Sequence, residues 1–309
     1  MDSKSRIRSL FKAESEKLGF CFCGFTSPAP VEDHQRYMKW LEKDCYSDMT
    51  YLARPDAIAK RADPRQLMPE VETVVVLGMP ISFQQHNSFQ IAGFAHYRDY
   101  HEQLRELGTR LVMSVQEQTR RAFSHKIFVD SSPVLERSLA VRAGLGWIGK
   151  SSMFVHPDYG SHVLLCEIFI SYACHDPIIE QISDHCGSCK RCVDSCPTQC
   201  IDPVSRTIDV TRCISYLTIE KKGDFNDQEK RSIGNHFFGC DICMAVCPWN
   251  QKHLTRISSL SPFMIPDPLS IRTEEAFNEK LAGSSFERLK FSRWMRNLEA
   301  VQHNLNINK

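Results

Sequence analysis

The feature that most constrains this chain is a pair of closely spaced cysteine runs in its second half. The two runs are Cys186-x-x-Cys189-x-x-Cys192-x-x-x-Cys196-Pro197 and Cys240-x-x-Cys243-x-x-x-Cys247-Pro248. Cysteines at this spacing, followed directly by proline, are typical of iron–sulfur ligation, whereas zinc ribbons use two separated C-x-x-C pairs. The spacing therefore predicts two [4Fe–4S] clusters rather than zinc.

The ligands can be divided between the two clusters by a rule of two-cluster ferredoxins. In these proteins the fourth cysteine of each run ligates the other cluster. Cluster one then takes Cys186, Cys189, Cys192 and Cys247, and cluster two takes Cys196, Cys213, Cys240 and Cys243. Cys200 is surplus to these two sets, so we interpret it as a small core residue. The long insertion between Cys213 and Cys240 is not needed in a minimal carrier, and we expect it to contact another part of the protein.

Composition excludes several classes of protein. The 309 residues include 38 basic and 37 acidic side chains, a formal charge of +1, so the chain is no general polycation. The first 20 residues contain neither a secretory h-region nor a membrane-spanning run, and we expect a cytoplasmic protein without membrane contact. Nine of the 14 cysteines lie between 186 and 247, which favours metal ligation over disulfides.

Hydrophobic periodicity predicts a mixed α/β protein with three parts. Residues 1–180 contain buried strands at 73–81 and 161–170 and a long helix at 100–123, and we interpret them as one α/β domain. Residues 181–256 are the ferredoxin-like cluster module, and residues 257–309 are a C-terminal helical extension. Ser131 or Ser132 is predicted to cap the helix that Gly144 ends.

The stretch "GLGWIGKS" at 144–151 matches two phosphate-binding patterns without their structural context. Both G-x-G-x-x-G and G-x-x-x-x-G-K-S need a strand before them and a helix after them. Here a helical segment precedes the glycines and an extended one follows. We therefore reject a nucleotide site, and favour a glycine loop that passes close to some other flat cofactor.

Several longer stretches, taken together, identify a family resemblance. They are "RADPRQLMP" (61–69), "RDYHEQLRELGTRL" (98–111), "VDSSPVLERSLAVRAGLGWIGKSSMFVHPDYGS" (129–161), "CGSCKRCVDSCPTQCI" (186–201), "RCISYLTIE" (212–220) and "GCDICMAVCPWN" (239–250). The chain resembles the epoxyqueuosine reductases, cobalamin-dependent iron–sulfur enzymes that complete queuosine in the tRNA anticodon loop. The resemblance implies a nitroreductase-like cobalamin domain followed by a ferredoxin-like module. It is to the short form, without the C-terminal helical repeats of many relatives.

The resemblance also implies roles for individual residues. Asp130, in the V-D-[ST] motif, would be the proton donor, with its pKa raised beside the apolar corrin; the alternative is a helix-capping aspartate. The residues aligned with cobalamin contacts are Arg54, Asp130, Phe154, Leu165 and Ser215. Except for Asp130, these could also be ordinary core or surface residues. The chain has no D-x-H-x-x-G motif, which agrees with base-off cobalamin without an axial histidine.

The expected partners are an anticodon stem-loop and a low-potential electron donor such as flavodoxin or ferredoxin. Lys221 and Lys222 are the best local candidates for phosphate contacts. A second basic stripe near the C-terminus comprises Arg288, Lys290, Arg293 and Arg296. Such clusters are also common on ordinary solvated faces. We expect the protein to be a monomer.

Two other functions are compatible with parts of the sequence. A ferredoxin-type electron carrier needs only the cluster module and leaves the first 180 residues without a role. A corrinoid reductive dehalogenase also combines cobalamin with two clusters, but such enzymes commonly begin with a twin-arginine export signal, and this chain has none.

Overall fold

The computed structural model describes residues 2–82, 89–176, 179–251 and 258–307. The α-helices are α1 (Ser3–Lys17), α2 (His34–Glu42), α3 (Pro55–Ala62), α4 (Tyr100–Thr119), α5 (Glu136–Arg142), α6 (Arg191–Asp194), α7 (Ile214–Ile219), α8 (Asp227–Ile233), α9 (Ile242–Ala245), α10 (Pro248–Gln251), α11 (Glu274–Lys280) and α12 (Lys290–Ile307). The strands are β1 (Phe22–Thr26), β2 (Thr73–Pro80), β3 (Gln90–Ile91), β4 (His125–Phe128), β5 (Trp147–Ile148), β6 (Phe154–Val155), β7 (Val163–Ile170), β8 (Ile201–Asp202), β9 (Thr207–Ile208) and β10 (His236–Phe238). The predicted boundary at 256–257 lies outside the described residues, and the one at 180–181 stays a prediction.

The first part of the chain is built on an antiparallel sheet with the strand order β1-β2-β7-β4. Every residue of β2 is buried, because the sheet is covered on both faces. Val75 and Leu77 pack with α1 and α4 on one face, whereas Val74 and Val76 pack with α5 on the other. This alternation is the two-residue period of a strand. The helices packed on both faces of the sheet confirm the predicted mixed α/β class.

A second core joins the insertion between Cys213 and Cys240 to the C-terminal helix. Trp294 and Leu298 of α12 pack with Phe237 of β10, and all three side chains are buried. Asn297, also buried, donates hydrogen bonds to the carbonyl oxygens of Thr218 (2.7 Å) and Phe237 (2.9 Å). The insertion therefore contacts another part of the protein, as expected from its length.

Element ends differ from the predictions where the backbone becomes left-handed. The long helix α4 ends at Thr119 rather than near 123, because Arg120 has a φ of 53° and caps it. Neither Ser131 nor Ser132 caps α5, which begins only at Glu136, because Asp130 has a φ of 47° and turns the chain first. Gly144 follows that helix with a φ of 71°, as its role as terminator predicted.

Candidate active site and cluster-binding thiols

Asp130 lies just after β4 with its carboxyl group turned toward the start of α4. Its Oδ2 accepts hydrogen bonds from the Tyr100 hydroxyl (3.0 Å) and from Nε2 of His101 (3.3 Å). Nδ1 of the same histidine contacts the carboxylate of Asp99 at 2.7 Å. The Asp130 side chain is 55% exposed. The site thus presents an accessible carboxyl group backed by an imidazole that bridges two carboxylates.

This arrangement determines where a proton resides near neutrality. Burial opposes protonation of His101, but the hydrogen bonds and charges of Asp130 and Asp99 outweigh it and raise its pKa to about 9. Burial also raises the pKa of Asp130, yet His101 outweighs it, so the pKa is lowered. The protein's own groups thus lower the pKa of Asp130, and the expected rise beside a bound corrin stays a prediction. The proton of the pair resides on His101.

Arg288 and Tyr51 also lie close enough to Asp130 to interact with it electrostatically. Arg288 forms a salt bridge with Glu220, which follows α7, at 2.5 Å. Burial lowers the pKa of Arg288, but Glu220, Tyr51 and Asp130 together raise it. The sequence analysis missed Tyr100, His101 and Glu220 as site residues. The dipeptide Tyr100-His101 lies within the stretch 98–111, which carries part of the family resemblance, and this stretch could have identified both residues as site candidates.

The predicted cobalamin contacts occupy different environments. Phe154 in β6 is only 3% exposed, so little of its ring is accessible. Leu165 in β7 is half-buried; since Phe128 pairs with Glu167, Asp130 lies two residues further, at the level of Leu165. Arg54 precedes α3 as an exposed side chain that pairs with Asp56 at 3.1 Å. Ser215 lies in the first turn of α7, the helix that leads from Cys213 to Glu220.

Several of the predicted ligand thiols lie close enough to one another to shift each other's pKa. Burial raises the pKa of Cys192 most, and the neighbouring Cys186 and Cys247 raise it further. Burial likewise raises the pKa of Cys243, followed by Cys240, and Cys192 and Cys196 also contribute. Cys247 thus lies near Cys186 and Cys192, and Cys196 near Cys240 and Cys243, whereas Cys192 also lies near Cys243; the division of the ligands between two clusters stays a prediction. A thiolate set of this kind suits [4Fe–4S] clusters.

Single metal ions are a different matter. Across 2–82, 89–176, 179–251 and 258–307, no group of three or more His, Cys, Asp or Glu side chains could hold one. Cys200 is buried, as its interpretation as a small core residue predicts, and it also lies beside a predicted ligand. Its Sγ lies 3.5 Å from Sγ of Cys196.

The glycine loop that imitates a phosphate-binding motif contacts the first cysteine run. Nζ of Lys150 donates to the carbonyl oxygens of Gly187 (2.6 Å) and Cys189 (2.9 Å). A Cβ added at Gly149 would lie 3.5 Å from Sγ of Cys186. Trp147 packs edge-on against Trp249, with ring centroids 5.0 Å apart. The loop therefore contacts the segment that is predicted to bind cluster one, and the rejection of a nucleotide site stays a prediction.

Two of the four residues of the predicted basic stripe, Arg293 and Arg296, are hydrogen-bonded to carbonyl groups of the protein. Arg293 donates to the carbonyl oxygens of Ile219 and Glu220, at 2.6 and 3.3 Å. Arg296 donates to those of Leu217, Lys221 and Gly223 and stacks on the ring of Phe225, at 4.0 Å. These guanidinium groups hold α12 to the insertion, so the prediction that they form a phosphate-binding stripe is wrong.

The remaining basic candidates differ in accessibility. Lys221 forms an ion pair with Glu229 at 3.1 Å, and its side chain is 20% exposed. Lys222 is exposed, and only its backbone N–H is held, by Asp48. Lys290 is also exposed.

Among the described helices, none is both long and apolar enough to span a membrane.

Two family models match this chain, one over the cysteine runs and one over the segment that includes Tyr100, His101 and Asp130. The family model described as "4Fe-4S double cluster binding domain" matches residues 185–250, and "Epoxyqueuosine reductase QueG, DUF1730" matches residues 61–131. An epoxyqueuosine reductase from Cyclobacterium marinum is 34% identical over 98% of this chain and 99% of its own length. The chain belongs to the epoxyqueuosine reductase family.

Solved structures of epoxyqueuosine reductases have the same fold. A selenomethionine-labelled crystal structure is 26% identical, with a TM-score of 0.84 over 98% of this chain and 82% of its own. Another, solved with an epoxyqueuosine-modified tRNA-Tyr stem loop, is 26% identical with a TM-score of 0.82 over the same shares. Because one family match lies upstream of the cysteines, a free-standing ferredoxin-type carrier does not account for this chain.

Proposed function

We propose that this protein reduces epoxyqueuosine to queuosine in the anticodon loop of tRNA, a reaction that takes place in the cytoplasm. The observation that carries the proposal is the exposed Asp130 carboxyl group, held by Tyr100 and His101, in a family member with two runs of cysteines. The overall change converts an epoxide, two electrons and two protons into an alkene and water. The chain must therefore supply electrons and protons at one place.

The two groups of cysteines would supply the electrons. Two [4Fe–4S] clusters would transfer them singly from a low-potential donor such as flavodoxin or ferredoxin. Cluster two, held by Cys196, Cys213, Cys240 and Cys243, would be the one nearer to Asp130. This order is supported by α7, which runs from Cys213 to Glu220, and by the salt bridge of Glu220 with Arg288 beside Asp130.

Cobalamin would complete the site in base-off form, held by Arg54, Phe154, Leu165 and Ser215. When bound, it supplies low-valent cobalt, a strong reductant and nucleophile that no side chain can replace. The half-buried Leu165 and the exposed Asp130 fit such a group, because an apolar surface and a proton source lie at the same end of the sheet. A nitroreductase-like ancestry of this sheet belongs to the same proposal.

The Asp130–His101 pair would supply a proton to the leaving oxygen. The carboxylate is positioned by Tyr100 and accepts a hydrogen bond from the imidazole, whose pKa of about 9 keeps it protonated near neutrality. A proton can pass from His101 through Asp130 to the substrate, so a lowered Asp130 pKa does not prevent general acid catalysis. Asp99 would stabilise the imidazolium that the pair needs.

The tRNA would approach from the side of Lys222, Lys221 and Arg288. Lys222 is exposed and follows Glu220 by two residues, and Glu220 pairs with Arg288, which lies near Asp130. The relative solved with an epoxyqueuosine-modified stem loop supports tRNA as the substrate class. Phosphate contacts of this kind predict binding that weakens with salt.

Turnover on a defined substrate tests the proposal. The anaerobically purified protein, loaded with iron, sulfide and cobalamin and reduced chemically, is expected to convert an epoxyqueuosine-containing stem-loop into a product lighter by one oxygen atom. Asp130→Asn is expected to retain clusters and cobalamin but to lose product formation by at least about 100-fold. Full activity of that variant would remove Asp130 from the mechanism, and no conversion by the wild type would refute the proposed function.

A further inference from the structure

Glu167 is the least expected residue of the sheet. It lies in the middle of β7, between β2 and β4, opposite Val76 on one side and Phe128 on the other. Its side chain is fully buried, and neither carboxyl oxygen has a hydrogen-bond partner of ordinary geometry among the residues that the structure describes. An unpaired carboxylate is costly to bury, so the group must be neutral.

The alternation of β7 turns Glu167 toward α5, which begins with Glu136. Leu165 and Phe169 share its face of the sheet and pack with the residues of α5. Burial raises the pKa of Glu167 well above its ordinary value, and the nearby Glu136 carboxyl raises it further. Burial, followed by the charge of Asp130, raises the pKa of Glu136 to about 8. At pH 7 the protonated form of Glu136 is therefore favoured.

Glu136 in turn holds the backbone of Asp130. Its Oε1 accepts a hydrogen bond from the Asp130 N–H, and the N–H of Ser131 bonds back to the carbonyl oxygen of Val129. This turn gives Asp130 its φ of 47°, a conformation that is unfavourable for a residue with a side chain. Such a turn persists only where neighbouring groups stabilise it, and the hydrogen bond from the Asp130 N–H to Glu136 is one such contact.

We propose that Glu136 is a positioning residue, which holds the left-handed backbone of Asp130 so that the Asp130 carboxyl group faces Tyr100 and His101, and that buried Glu167 keeps Glu136 in a neutral carboxyl pair. The inference rests on the proposed role of Asp130 as proton donor. A neutral pair suits this task because its oxygen accepts the N–H bond without placing a second negative charge beside the reacting carboxylate.

Two variants of Glu136 separate the effect of its hydrogen-bond acceptor oxygen from the effect of its charge. Glu136→Ala removes the acceptor, whereas Glu136→Gln keeps a carbonyl oxygen at the same position and stays neutral at every pH. Ser138→Ala is the matched control, because it removes a different side-chain hydrogen bond of α5, the 2.9 Å contact with Asp33. Each fully loaded variant is assayed for single-turnover reduction of the stem-loop and for amide hydrogen exchange in the peptide that covers residues 129–135.

We expect Glu136→Ala to react at least about tenfold more slowly and to exchange faster across Asp130 and Ser131, because a loosened donor loses its alignment. Glu136→Gln and Ser138→Ala should keep both the rate and the protection. Wild-type rate and exchange in Glu136→Ala, beside an inactive Asp130→Asn, would overturn the positioning role alone. Failure of Glu136→Gln to rescue either readout, with clusters retained, would overturn the neutral pair. An active Asp130→Asn would instead refute the proposed function.

Discussion

Replacing Asp99 by asparagine tests the electrostatics of the proton-donating pair without touching Asp130. Oδ1 of Asp99 contacts both the backbone N–H of His101 (2.9 Å) and its Nδ1 (2.7 Å), and it also caps α4. An asparagine oxygen can accept the same two hydrogen bonds. The substitution therefore removes one negative charge beside the imidazole and leaves the geometry in place.

The size of the effect follows from the pKa of His101. Its rise from 6.5 to about 9 corresponds to about 3 kcal/mol, because one pKa unit is worth about 1.36 kcal/mol. The His101 side chain is only 16% exposed, so screening by solvent removes little of this. Two carboxylates supply the rise against the opposing effect of burial. The loss of one charge should lower the pKa by at least about one unit, to about 8 or below.

The assay is the pH dependence of single-turnover reduction by pre-reduced, fully loaded enzyme. A raised imidazole pKa means that His101 holds its proton below about pH 9 and loses it as the pH rises through that value. We expect the wild-type rate to fall near pH 9 and that of Asp99→Asn to fall at least about one pH unit earlier. The control is Asp2→Asn, which changes the capping aspartate of α1, a residue without a histidine partner. It should leave the pH at which the rate falls unchanged. If the rate of Asp99→Asn fell at the same alkaline pH as that of the wild type, the charge of Asp99 would not be what raises the pKa of His101.

Other parts of the structure give three further predictions. Cys200→Ala should retain about eight iron atoms per chain, because Cys200 is not assigned as a ligand, whereas Cys213→Ala should lose iron in a colorimetric assay. Lys150→Gln removes a positive charge from the segment of cluster one, so the reduction potential of that cluster should become more negative in an EPR titration. Lys126→Gln, which loses a lysine–carbonyl bond elsewhere, should leave that potential unchanged. Asn297→Ala leaves two buried carbonyl oxygens unpaired and should lower the free energy of unfolding by about 2–4 kcal/mol in urea titrations.

The sequence predicted those features that depend on local patterns. The strand at 73–80 follows from a run of β-branched residues, and the double-cluster module at 185–250 follows from the spacing of the cysteines. Gly144 was placed correctly at the end of α5, because a positive φ after a helix favours glycine. In each case the determining residues are neighbours along the chain, so a single sequence carries the information.

The errors and omissions come from contacts between residues that are distant in the sequence. Arg293 and Arg296 resemble a solvated basic stripe until α12 docks on the carbonyl groups around Glu220. The lowered pKa of Asp130 depends on His101, which reaches it across 29 residues of chain. Nothing local indicates that Glu167 in a strand would lie beneath Glu136 in a helix. These contacts form only when the sheet is assembled.

Cobalamin binding to the cluster-loaded protein is the sharpest test of the proposal that this cofactor receives the electrons of the clusters. After anaerobic reconstitution with iron and sulfide, incubation with cobalamin and desalting, the account predicts about one cobalamin retained per chain, measured by its absorbance. It also predicts that stem-loop reduction requires this bound cofactor. Full clusters with no retained cobalamin, or product formation that proceeds equally well without it, would contradict the account.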